Sequence, residues 1–323
     1  MAPIASVAVA GGTGNVGRAI VEAILATGKY EVKILSRKPN PELEAEIGAP
    51  IVPVDYSDVN AIVKVLEDNN IDTVVSGIAM HSADGSTPNE LELIRAADLS
   101  KTTRRLISSG WGTPVQSRPV QSSAIASEIH KSNARRELEK TENLEYTVFH
   151  NGYFMDYWGI PVVKSWLARM PLVFWLDIAN NAAAIPGSGN TPAIFTHTTD
   201  VARFVAASLD LPKWEPDTYI FGDRVTWNEF LHWAEDAKGT KFNVAYDSTE
   251  KLKLGQTTEL PAQIPSYPFF PKEPQQAMAA AFGLWFEYGI CDLKPTKAFL
   301  NETFPEIKPL RVKEMLDQAW RKA

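Results

Sequence analysis

The sequence predicts an α/β protein with a doubly wound parallel sheet and a smaller, mostly helical second part. Three observations carry this. An apolar run over residues 5–10 enters a glycine turn, Gly11-Gly12-Thr13-Gly14-Asn15-Val16-Gly17, and leaves it in a helical pattern that lasts to Thr27. Apolar strand-like runs then alternate with helix-period runs, the pattern of a parallel sheet with crossover helices. Beyond Phe154 the pattern turns irregular and aromatic.

A chain of 323 residues exceeds the usual single-domain size. A nucleotide-binding domain over 1–154, with 193–222 returning to it, is expected beside a substrate-binding or lid part over 155–192 and 223–323. Apolar and charged fractions of 45% and 22% are those of a globular protein. The net charge of −7 argues against a nucleic-acid partner, which needs a clustered basic face. A single cysteine, Cys291, excludes disulfides and cysteine-metal sites within the chain, and no metal is expected. The apolar start lacks a basic leader, and the later apolar stretch over 277–290 is too short for a bilayer and contains Glu287. A soluble, cytoplasmic protein without a membrane partner is expected.

In a strand, glycine turn and helix of this kind, the three spaced glycines Gly11, Gly14 and Gly17 permit the tight turn, the approach of a pyrophosphate and the packing of helix on strand. With Thr13, Asn15 and Val16 they are the expected cofactor contacts, the helix start supplying N–H groups to the anion. The second strand, over 30–35, ends at Ser36-Arg37-Lys38-Pro39. A ribose 2′-hydroxyl calls for a carboxylate at this offset and a 2′-phosphate for cations, so Arg37 and Lys38 point to NADP(H). After a short helix over 41–47, a third strand over 51–54 ends in Asp55, a candidate acceptor for an adenine amino group. Asp58 is the better cap for the periodic run Ile62, Val63, Val65, Leu66.

The fourth strand, over 73–76, leads into Gly77-Ile78-Ala79-Met80, which places Ser76 and Gly77 against the cofactor; His81 follows on the same edge. A helix over 88–99 precedes a fifth strand over 105–108 that ends in Ser109-Gly110-Trp111-Gly112. A polar loop, a helix through Lys140 and a sixth strand over 146–150 complete the alternation. All these strand ends share the carboxyl edge, where such sheets bind ligands. His150 closes the sixth strand and is a proton-transfer candidate. The aromatic run that follows, including Tyr153, Phe154, Tyr157 and Trp158, reads as a substrate lid over a small second core. Short strands over 193–196 and 218–221 flank a helix over 199–209, and helices separated by a proline-rich loop fill the rest.

Several pieces together resemble one family. They are GGTGNVG at Gly11, SRKP at Ser36, RRLISSGWG at Arg104, and the cluster Lys131, Arg135, Arg136, Glu139 before Tyr146-Thr147. Asn151-Gly152-Tyr153-Phe154, Gly187-Ser188-Gly189, Thr199-Asp200-Val201-Ala202 and the run from Gly222 to Glu229 add to them. Their order and spacing resemble the isoflavone reductase-like and NmrA-like branch of the atypical short-chain dehydrogenases, proteins with an NAD(P)-binding Rossmann domain. The ordinary catalytic pair of that superfamily is a tyrosine with a lysine four residues on, and none of the nine tyrosines has one. The resemblance implies that Lys131 is the proton donor and a cofactor contact instead. It also implies nicotinamide and substrate contacts at Ser109 and Trp111, although Gly110-Trp111 replaces the usual acidic-aromatic pair. Substrate contacts are thus expected from Trp111, Tyr153, Phe154 and Trp158. The expected activity is NADPH-dependent reduction of a small apolar ketone, enone or quinone, aromatic ones included. The alternative is a non-catalytic dinucleotide redox sensor that holds a regulatory protein partner.

Overall fold

The computed structural model describes residues 5–80, 88–117, 125, 127–167 and 173–321. The first half runs β1 (Ser6–Ala10), α1 (Asn15–Thr27), β2 (Glu31–Ser36), α2 (Pro41–Ile47), β3 (Ile51–Pro53), α3 (Val59–Asp68), β4 (Thr73–Ser76), α4 (Glu90–Leu99), β5 (Arg105–Gly112), α5 (Ser127–Leu138) and β6 (Glu145–His150). There follow β7 (Tyr153–Phe154), β8 (Leu176–Asp177), β9 (Ala182–Pro186), β10 (Ala193–Thr196), α6 (Thr198–Ser208), β11 (Asp217–Tyr219), β12 (Asp223–Val225), α7 (Trp227–Lys238) and β13 (Asn243–Asp247). Helices α8 (Thr249–Lys253), α9 (Lys272–Glu287), α10 (Leu300–Thr303) and α11 (Val312–Trp320) end the chain.

Seven parallel strands form the main sheet in the order β11-β6-β5-β4-β1-β2-β3. Successive residues of a strand face opposite sides. Val7 and Val9 accordingly join a core with Ile20, Ile24 and Phe204, while Ala8 and Ala10 join a second one with Ile62, Leu66 and Leu93. Helices cover both faces, so every residue of β1 and β4 is buried. Asp58 caps α3 as expected, accepting from the N–H groups of Asn60 and Ala61 at 2.8 and 3.3 Å. A reciprocal pair between Thr226 and Glu229 starts α7.

Three features differ from the sequence reading. The fifth strand does not stop at Ser108 but continues to Gly112 with a register shift against β6, so Ser109 to Trp111 lie on a bulged strand. The return to the main sheet is made by β11 and by α6, which packs on α1, whereas β10 pairs with β7 and β12 in a separate sheet. A third sheet, β13-β9-β8, stands where only helices and loops were expected. Its middle strand reads Ala-Ala-Ala-Ile-Pro, which carries neither alternation nor β-branched enrichment.

The aromatic run beyond Phe154 is chiefly a core. The Trp227 ring lies 5.4, 5.3, 5.2, 5.5 and 5.0 Å from the rings of Trp158, Trp175, Phe195, Phe230 and Phe286. Asn151 joins this part to the main sheet: its side-chain oxygen accepts from Gly112 N–H at 2.9 Å, and its carbonyl accepts from the Thr196 hydroxyl at 2.7 Å. Trp227→Ala is expected to destabilise the protein by about 3–5 kcal/mol, and Trp227→Phe by under about 2 kcal/mol. Urea unfolding followed by circular dichroism checks both, and equal losses would show that ring volume is not what holds this core.

Candidate active site

The first strand delivers its glycine turn to the start of α1, where Gly14 precedes the helix with no side-chain cap and no acidic residue in the first turn. The helix-start N–H groups therefore face the turn without a competing side chain. A Cβ at Gly17 would stand 2.3 Å from the Gly11 carbonyl oxygen, so helix and turn approach too closely for any other residue. At Gly14 a Cβ would meet nothing within 4 Å. The packing of the fold does not require its bareness.

Gly11, Thr13, Gly14, Asn15, Arg37 and Gly77 line one cleft of about 320 Å³. Arg37 is exposed, has no carboxylate partner among the described residues, and also borders an open hollow of about 570 Å³ with Asp55 and Tyr56. Lys38 is exposed and lines neither space. The Asp55 carboxylate accepts from the Ser57 hydroxyl at 2.6 Å and its N–H at 2.9 Å, bonds that hold it below the usual carboxylate range. An uncapped helix start, a bare Gly14 and an uncommitted guanidinium one strand away fit a phosphorylated dinucleotide.

The cleft continues into a pocket of about 200 Å³, sharing Asn15, Gly77, Ile78 and Ala79 with it. Val16, Ser109, Trp111, Lys131, Phe154 and Tyr157 line this second space. Lys131 reaches it because α5 turns Ala134 and Leu138 inward, and a residue three or seven positions before them shares their face. Its Nζ donates to the Trp111 carbonyl at 2.6 Å. Burial, with a smaller contribution from Asp156, pushes the Tyr157 phenol up to about 12, so it stays protonated. In the sequence Tyr157 stands out only as part of the aromatic run.

Two expected substrate contacts lie elsewhere. Tyr153 and Phe154 face opposite sides of β7, so Phe154 lines the pocket while Tyr153 packs on Trp175, Phe282 and Phe286. Trp158 is buried in the second core, its N–H bonded to the Leu176 carbonyl. His150 does not line the pocket either; it is buried with Nε2 2.7 Å from the Asp217 carboxylate, which Arg135 also holds at 2.8 and 3.1 Å. Burial acts to raise Asp217, but the His150 and Arg135 bonds outweigh it and hold the carboxyl low. His81 lies outside the described residues. No group of three metal-ligating side chains, and no helix long and apolar enough to cross a membrane, occurs among the described residues.

Glu90 is the residue the sequence reading missed. It is buried at the start of α4, where its carboxylate accepts from Ser76 Oγ at 2.5 Å, Ser108 Oγ at 2.7 Å and Ser109 N–H at 2.9 Å. Ser76 thus turns its hydroxyl to Glu90 and lines neither space, while its carbonyl accepts from Trp111 Nε1 at 3.2 Å. Burial raises the Glu90 carboxyl above its ordinary range despite the three bonds. An acid in a first helical turn usually faces water and the helix dipole. The available signal was its position on the stripe of Leu93, Ile94 and Ala97, all buried.

The family model described as NAD(P)H-binding matches residues 11–161. Over 305 residues the chain is 39% identical to the oxidoreductase BOA1 of Botryotinia fuckeliana, covering 94% of this chain and 95% of that protein. It is 25% identical over 339 residues to an isoflavone reductase-like protein of Olea europaea, covering 98% and 99% of the two chains. The binary complex of leucoanthocyanidin reductase and NADPH from Vitis vinifera superposes with a TM-score of 0.74 at 20% identity, covering 97% and 98%. That likeness is one of fold.

Glu90→Ala would strip the acceptor from two hydroxyls and an N–H, and is expected to cost about 2–4 kcal/mol. Glu90→Gln keeps an acceptor and removes the charge. Because the folded carboxyl titrates above its ordinary 4.5, its stabilising contribution is complete below that pH and falls as pH rises through the folded value. Glu90→Gln should therefore gain on the wild type between pH 4.5 and neutrality. Denaturant midpoints at the two ends measure this, and a pH-independent difference would count against it.

Proposed function

Because the chain belongs to the isoflavone reductase-like family of NAD(P)H-binding oxidoreductases, we propose that it is an NADPH-dependent reductase of a small apolar ketone, enone or quinone, aromatic ones included. The observation that carries this is one lysine at the wall of a pocket continuous with the dinucleotide cleft: Lys131 lines the same 200 Å³ space as Asn15 and Gly77. The names of the relatives, oxidoreductases and reductases, support turnover over a sensing role.

In this reading the turn from Gly11 to Gly17 holds the pyrophosphate, and Gly77 with Ser109 borders the nicotinamide end. Arg37 meets the 2′-phosphate through charge-assisted hydrogen bonds. Bound NADPH supplies a hydride. Trp111, Phe154, Tyr157 and Leu167 form the largely apolar wall that takes the substrate and excludes water. Lys131, held at Nζ by the Trp111 carbonyl, gives a proton to the oxyanion or carbanion that develops. Its bond to a backbone carbonyl steers the ammonium without neutralising it.

Arg37→Ala is expected to weaken NADPH binding by about 1.5–3 kcal/mol, roughly 10–100-fold in Kd, and to leave NADH nearly unchanged. Fluorescence titration with both dinucleotides measures it, and an equal loss for both would remove Arg37 from the 2′-phosphate. Lys131→Met is expected to lower kcat by roughly 10²–10⁴ with little change in NADPH affinity. The assay is NADPH oxidation against a panel of aromatic ketones, enones and quinones. Turnover that survives the substitution would take proton donation away from Lys131.

A further inference from the structure

The pocket beyond the cofactor cleft is walled by both parts of the chain. The sheet side brings Ser109, Trp111 and Lys131, and among the described residues the segment from β7 onward brings Phe154, Tyr157 and Leu167. Of these last three, only Tyr157 carries a polar side-chain atom. On the sheet side, donors are already engaged: Ser109 Oγ donates to the Ile78 carbonyl at 2.7 Å, Trp111 Nε1 to the Ser76 carbonyl at 3.2 Å and Lys131 Nζ to the Trp111 carbonyl at 2.6 Å. Ser127 stands four residues before Lys131 on α5 and shares its face. The Tyr157 phenol donates to none of the described residues.

Tyr157 lies in the short helical turn Met155–Trp158 and is partly buried, its ring 6.0 Å from that of Tyr153 and 6.4 Å from that of Trp158. Both neighbours pack in the second core, so the Tyr157 ring is backed by that core and borders the pocket. Burial, with a smaller contribution from Asp156, keeps the phenol protonated up to about 12, so what it offers is an O–H donor. Water pairs such a donor while the pocket is open. A ligand that fills the pocket expels the water, and it must then supply an acceptor or leave the O–H unpaired.

We propose that Tyr157 selects substrates carrying a second acceptor oxygen, on the edge of the molecule away from the group that is reduced. The inference rests on the proposed reading, in which this pocket takes the substrate and Lys131 serves its reacting end. The Trp111 carbonyl holds Lys131 Nζ on the sheet side. A substrate with its reacting end there, and its ring along Trp111 and Phe154, turns its far edge to the segment after β7, where Tyr157 is the donor. The class that fits is a quinone, or an aryl ketone with a second carbonyl across the ring. A ring with one oxygen seals the phenol from water without pairing it. Selection then comes from a hydrogen bond made or left unmade, which discriminates between ligands of equal shape.

The test uses para-diacetylbenzene and para-isopropylacetophenone, which have nearly the same shape and differ by a second carbonyl oxygen against a methyl group. Calorimetric titration of each into the full-length protein saturated with NADP⁺ reads binding without turnover. The wild type is expected to bind the diketone roughly 3–10-fold more tightly than the mono-ketone. Tyr157→Phe keeps the ring and removes only the hydroxyl, and is expected to abolish the difference by weakening the diketone alone. An unaltered NADP⁺ affinity shows that this variant is folded, and the wild-type comparison needs no variant. Equal affinities in the wild type overturn the inference, as does a preference that survives in Tyr157→Phe or the failure of both ketones to bind. NADPH oxidation separates this from the reading beneath it. A preference that depends on Tyr157, without turnover of any ketone, enone or quinone, keeps the selecting residue and removes the reductase; turnover of both ketones with no preference keeps the reductase and removes the selection.

Discussion

The site hangs on a buried carboxylate. Glu90 draws together the ends of β4 and β5 by accepting from Ser76, Ser108 and the Ser109 N–H, three donors on two adjacent strands. Here the tie is made from below by the first turn of α4. The indole of Trp111 adds a second tie to the Ser76 carbonyl, and Ser109 a third to the Ile78 carbonyl at 2.7 Å. The bulge from Ser109 to Trp111 is thereby held as strand, and the Trp111 carbonyl that receives Lys131 is set by it.

Such a carboxylate is costly to bury, and its three donors offset only part of the desolvation. The protein accepts that cost where the backbone must be rigid next to the pocket. A comparable arrangement joins the two parts of the chain. Asp156, fully buried, accepts from both the N–H and hydroxyl of Thr198 at the start of α6, at 3.0 and 2.5 Å. Together with Asn151 it fixes the angle at which the aromatic core sits beside the sheet. Phe154 and Tyr157 reach the pocket only because that angle is held.

Much of the nucleotide-binding half was legible in the chain because its signals are local. Alternation and helical period need only a few residues to declare a face, which is why β1, β2, β4 and β6 stand within a residue or so of the expected runs. Asp58 declares a helix start by its own side chain. The glycine turn and Arg37 were found the same way, through spacing along one strand, turn and helix, and the structure gathers them into one cleft.

What only the tertiary structure decided was which side chains face which space. Tyr153 and Phe154 are neighbours in sequence with the same chemistry, and strand pleating sends one to a core and the other to the pocket. The run that holds Trp158 reads in sequence as a lid, but Trp227, from far along the chain, packs against both Trp158 and Trp175 and makes it a core. Glu90 carried no sign of its role because its donors come from strands 14 to 19 residues away on either side of a crossover. The sequence by itself determined the α/β fold, the anion-ready turn and the cation at the second strand end, since each depends on backbone propensity or charge at short range. The tertiary structure alone determined burial and pairing, because whether a charge or a ring is buried depends on partners that the chain brings back from far along its length.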